Sequence, residues 1–137
     1  MLKETIKYED YNGVERTEDH YFNLTKTEIM KMELGVKGGL TELIQRIISA
    51  QDTPALMEIF DDLIHKAYGV KSADGKRFEK NEENWLAFKE SGAYDKLFMD
   101  LATDAEKAAK FINSIVPAEL AAEAAKNAAN PLLTTVQ

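Results

Sequence analysis

Leu2, Glu4, Ile6 and Tyr8 alternate with Lys3, Thr5, Lys7 and Glu9, the two-residue period of a strand with two unlike faces. Asn12-Gly13 follows, a pair suited to a type I′ turn, in which both central residues need positive φ. A two-residue loop there sets Glu9 opposite Arg16 and Lys7 opposite Glu18, and opposite charges at such cross-strand positions are stabilising. That register turns Ile6, Tyr8 and Tyr21 to the face to be buried, and it leaves Val14 and Phe22 on the charged side. An isolated hairpin is marginal in water. It must therefore lie on helices, gain a third strand or pair with another chain.

From Thr25 the period changes to that of a helix. Thr25-Lys26-Thr27-Glu28 is a capping box, and Leu24 before it is placed to staple onto Ile29. The helix is expected to stop near Gly35. Gly38-Gly39 reads as a flexible connector, because a phosphate loop would need a preceding apolar strand and a Gly-Lys-Ser/Thr ending. Leu40, Leu43, Ile44, Ile47 and Ile48 then repeat at helical spacing. Asp52 or Thr53 caps the next helix, with Pro54 in its first turn. Its stripe runs through Leu56, Ile59, Phe60, Leu63, Ile64 and Ala67, and Gly69 is expected to end it. Residues 70–80 read as a polar loop turning at Ser72 to Lys76. Asp74-Gly75 lacks the preceding acids of a calcium loop.

The stretch from Gly75 to Pro117 holds the single Trp and Phe78, Phe88, Phe98 and Phe111. Tyr94, Leu97, Phe98 and Leu101 mark one helix face, with Ser91 as the expected N-cap. Thr103, with Glu106 three residues on, is expected to cap the next helix. Burial preferences make these aromatics, Trp85 and Phe88 included, a structural core. After Pro117, residues 118–129 contain seven alanines and one large apolar group, Leu120, before Asn130-Pro131. The pattern therefore predicts an α+β fold, mainly α-helical. An N-terminal β-hairpin (2–24) packs on a small bundle of about six helices (25–116). Residues 1–117 form one domain, and 118–137 an alanine-rich helix and tail.

Composition narrows the function more than the fold. The chain has 137 residues, no Cys and a formal charge of −7. That length supports a genuine core, and without Cys there is neither a disulfide framework nor a thiolate metal site. The charge argues against wrapping a phosphate backbone, so no nucleic acid is expected. No apolar run is long enough for a membrane span, and the start reads as no signal peptide. A soluble, cytoplasmic domain is the expectation. His20 and His65 lack metal-ligand spacing. Asp61-Asp62 are consecutive and point about 100° apart on a helix, too far to act as one dyad. With no nucleophile, Walker or zinc motif, we expect no enzyme, no catalytic residue, no metal and no cofactor.

A family resemblance runs through the same residues. Gly75-Lys76-x-Phe78, Trp85, Phe88, Ser91, Ala93-Tyr94-Asp95, Leu97-Phe98, Phe111-Ile112 and Ile115-x-Pro117 resemble the C-terminal half of the tail assembly chaperones of long-tailed bacteriophages. Tyr11-Asn12-Gly13 and Tyr21 to Thr25 are similar to their N-terminal opening. The likeness covers roughly residues 1–117 and leaves the tail outside. It implies a chaperone that binds and solubilises the tape measure protein and helps recruit tail tube subunits. It also implies work in the cytoplasm of the infected bacterial host, absence from the mature virion, and a homo-oligomer or many copies along the partner. A longer form made by frameshifting is common in the family. Met30, Met32, Met57 and Met99 fall on predicted helices, and methionine re-packs against varied apolar partners. With Leu120, Leu132 and Leu133 of the tail they are the candidate partner-binding residues. Two other readings stay open: an acidic decoy or regulator of a host nucleic-acid-binding protein, and a minor structural component of the tail.

Overall fold

The computed structural model describes residues 1–35 and 53–117, apart from the side chains of 32–35 and 53–56. The predicted stripe from Leu40 to Ile48 and the alanine-rich segment lie outside the described residues. The elements are β1 (Leu2–Glu9), β2 (Glu15–Phe22), α1 (Lys26–Gly35), α2 (Thr53–Ala67), β3 (Tyr68–Lys71), β4 (Phe78–Glu79), α3 (Glu82–Lys89), α4 (Gly92–Ala102) and α5 (Ala105–Ile115). The fold is α+β. Five helices stand among the described residues, beside one antiparallel sheet in the order β1-β2-β3-β4.

The hairpin forms, but its register differs by one residue from the expectation. Glu9 faces Glu15, Tyr8 faces Arg16, Ile6 faces Glu18 and Leu2 faces Phe22. The loop decides this. Gly13 N–H donates to Asp10 C=O at 3.0 Å and Asp10 N–H to Val14 C=O at 2.8 Å, closing a three-residue loop with Gly13 at φ 78°. The Asp10 carboxylate fixes it by accepting from Asn12 N–H and Val14 N–H, both at 2.9 Å, and from Arg16 Nε at 2.6 Å. One extra loop residue moves every β2 side chain to the other face. Phe22, expected on the charged side, is fully buried, whereas Tyr21 stands on the outer face opposite Lys3.

Residues 70–80 turn where expected, with Gly75 N–H donating to Ser72 C=O at 2.9 Å, but the turn joins the two short strands of a second hairpin and is no plain loop. Its β3 is added to the edge of β2 through Tyr21–Gly69 and Phe22–Tyr68 pairing. Four and two residues are too short for a period to show. Gly69 accordingly does not cap α2. It sits inside β3, where an added Cβ would lie 2.6 Å from Phe78 Cε2, so the ring rests on bare backbone.

Local chemistry explains the helix starts. Thr25 and Glu28 form the predicted capping box: Glu28 N–H donates to Thr25 Oγ1 at 3.1 Å, and Thr25 N–H to Glu28 Oε1 at 2.9 Å. Asn81 caps α3, accepting from Asn84 N–H at 2.8 Å. Ser91 holds the N-cap position of α4, but its hydroxyl donates back to Phe88 C=O. Thr103 is no N-cap either. Its backbone is still near-helical and its hydroxyl donates to Met99 C=O, whereas Asp104 is extended and accepts from Glu106 and Lys107 N–H.

The core lies between the sheet and the helices. Phe22 meets the rings of Phe111, Tyr68 and Phe88 at centroid distances of 5.3, 5.7 and 5.8 Å. Phe60, Leu63, Ile64 and Ala67 of α2 are buried, as are Leu97 and Leu101 of α4 and Phe111, Ile112 and Ile115 of α5. Trp85 and Phe88 are buried with them, and no polar or charged residue is buried among those described. Two main-chain bonds pin the β2–α1 junction into this core, Asn23 N–H to Ala67 C=O and Leu24 N–H to Ile115 C=O, both 2.8 Å.

Candidate partner-binding surface

Chain order brings α1, the end of α2 and the start of α3 around one groove of about 510 Å³. Leu24, Tyr68 and Trp85 line it, and the rim carries Glu28, Lys31, Asp62 and Glu82. Lys80 locks these elements together. Its ammonium donates to Asn23 C=O at 2.6 Å, to Lys66 C=O at 2.8 Å and to both Glu28 oxygens at 2.8 and 2.9 Å. The Lys66 carbonyl belongs to the last turn of α2, where a cation is favoured. The sequence places Lys80 among alternating charges and reads it as part of a solvated face. Its partners lie up to 57 residues away, so nothing local marks it as a clasp.

Burial pushes the Glu28 carboxyl up, but the hydrogen bonds from Lys80 and Thr25 outweigh this and hold its pKa below the usual value. Lys80→Met is therefore expected to cost about 1–2 kcal/mol at neutral pH in urea unfolding. A carboxylate with a lowered folded pKa stabilises above its unfolded pKa, and that contribution fades as pH falls through the folded value. The gap between wild type and Lys80→Met should narrow below the ordinary glutamate range. An unchanged gap there would contradict the clasp.

His65 stacks on Trp85 at 4.3 Å and stays half-exposed beside the groove. His20 packs against Phe88 at 4.8 Å, and its Nε2 stands 3.3 Å from Glu18 Oε1, off line for a hydrogen bond. Burial holds the His20 pKa below its usual value. Tyr8 donates to Glu18 at 2.7 Å, and that bond pushes the phenol up to about 12. Tyr94 donates to Asp61, with burial the larger cause of its raised pKa. Among the described residues no three His, Asp or Glu gather where they could hold a metal. Among these residues, too, no helix is long and apolar enough to cross a membrane.

The candidate methionines lie on three separate helices. Met30 is 65% exposed on α1, next to buried Ile29; Met57 is 40% exposed on α2; Met99 is 49% exposed on α4. Met99 lines a second cleft with Tyr8, Tyr11 and Tyr94. The Met32 side chain and Leu120, Leu132 and Leu133 lie outside the described residues. The structure adds exposed apolar residues that are not among the candidate partner-binding residues: Tyr11 and Val14 at the hairpin loop and Leu86 on α3. Leu86 directly follows Trp85, so a full helical wheel of α3 would have turned it away from the Trp85–Phe88 face.

A family model described as phage tail assembly chaperone matches residues 1–137. It takes in residues 118–137, which the residue-by-residue resemblance leaves out. No curated protein and no solved structure matches the chain.

Proposed function

The chain belongs to the phage tail assembly chaperone family, and from that premise we propose that it binds and solubilises the tape measure protein in the cytoplasm of the infected host. It helps recruit tail tube subunits during tail assembly and is not retained in the mature virion. The family match across the whole chain carries this reading, and it is not an enzyme family. The surface supports it. Met30, Met57 and Met99 expose flexible, polarisable side chains on helices that are anchored by other, buried residues: Ile29 on α1, Leu63 and Ile64 on α2, Leu97 and Leu101 on α4. Such groups re-pack against many apolar sequences, as a holder of a long helical partner requires. The tail leucines Leu120, Leu132 and Leu133, and Met32, join them in the proposed contact set.

Co-expression tests the reading. With this chain present, the tape measure protein of the same phage is expected in the soluble lysate, and without it in the pellet. A Met30→Glu, Met57→Glu, Met99→Glu variant, with unaltered circular dichroism, should return a large part of it to the pellet. Equal solubility with and without the chain would overturn the proposal.

A further inference from the structure

Among the described residues nothing packs on the sheet's outer face, and one end of it is unlike the rest of this acidic chain. The register aligns Lys3, Tyr21 and Gly69 in one row across β1, β2 and β3. Lys71 and Phe78 form the neighbouring pair, and the Phe78 ring lies over bare Gly69. Tyr21 and Phe78 are half-buried and the two lysines exposed. Lys71 Nζ stands 4.2 Å from the Tyr21 ring centroid, and Lys3 has no carboxylate partner among the described residues. The carboxylates of this face sit nearer the hairpin loop: Asp19 accepts from Thr5 at 2.6 Å, Glu15 pairs with Lys7 at 3.0 Å, and Glu9 stands opposite Glu15. The end of the face at β3 is thus aromatic and cationic in a chain of net charge −7.

We propose that this end of the sheet, built from Lys3, Tyr21, Gly69, Lys71 and Phe78, docks an acidic segment of a partner protein. Complementary charge selects the partner's sign and steers it in. The rings offer a rigid apolar floor at small entropic cost, as aromatic anchors do in other interfaces. A nucleic acid strand fits less well, because two lysines give no cationic track along a backbone and the overall charge repels it. The face carries none of the candidate methionines, so the proposal stands apart from the chaperone reading.

The test uses the full-length chain labelled with nitrogen-15. A short glutamate-rich peptide with one central phenylalanine is titrated in at low salt. Amide shifts are expected at Lys3, Tyr21, Gly69, Lys71 and Phe78. A Lys3→Glu, Lys71→Glu variant is expected to keep its fold and bind roughly tenfold more weakly. No shifts, shifts centred elsewhere, or unweakened binding by the variant would overturn the proposal. So would tighter binding of an oligothymidylate. Self-association that disappears in the variant would also overturn it, by assigning the face to a second copy.

Discussion

Replacing Trp85 with alanine is expected to remove about 3–5 kcal/mol of stability and to lower the melting temperature by roughly 10–20 °C. Trp85 is only 4% exposed and touches four rings: His65 stacked at 4.3 Å, Tyr94 edge-on at 5.7 Å, and Tyr68 and Phe88 at 6.1 Å. It joins α3 to α2, β3 and α4, so its removal leaves a cavity that no single helix can close by shifting. Circular dichroism is the suitable probe, since the variant has no tryptophan. If Trp85→Ala melts like wild type and instead loses its partner, the aromatic cluster is a binding surface rather than the core.

Phe22→Ala is expected to cost a similar 3–5 kcal/mol, whereas Tyr21→Ala should cost about 1 kcal/mol, the size of an exposed cation–π contact. The two neighbours test the strand register directly. Phe22 is fully buried against Phe111, Tyr68 and Phe88, and Tyr21 faces outward beneath Lys71. A two-residue hairpin loop would exchange their faces and reverse the order of the two effects. Urea unfolding of both variants separates the cases, because the expected difference exceeds the usual error of such midpoints.

What the sequence made legible was the chemistry that acts over three or four residues. The Thr25–Glu28 box, the α2 stripe and the α4 face each follow from neighbours along one turn. The hairpin was legible as an element but its register was not. Asn12-Gly13 suggested a two-residue loop, and the Asp10 carboxylate, by gathering Asn12, Val14 and Arg16, imposed a three-residue one. β3 and β4 are too short to show a period, and they exist because β2 offers an edge beside the end of α2. Lys80 was illegible for another reason: its carbonyl and carboxylate partners come from two distant parts of the chain, Asn23 and Glu28 in one and Lys66 in the other. Of the candidate surface, helical position was readable for Met30, Met57 and Met99, and their exposure was not.

The proposed chaperone role requires many copies of this chain along one long partner. A standard interface covers only about 800 Å² on each side, so one copy hides a short segment of an extended helical protein. Shielding the whole length needs many modest contacts that reinforce one another along it. Co-expression with the tape measure protein, purification of the complex and multi-angle light scattering give the number of copies per partner chain. The account predicts many copies, in a number that grows when the tape measure protein is lengthened. A complex of one copy with one partner at every length, or no complex at all, would contradict it.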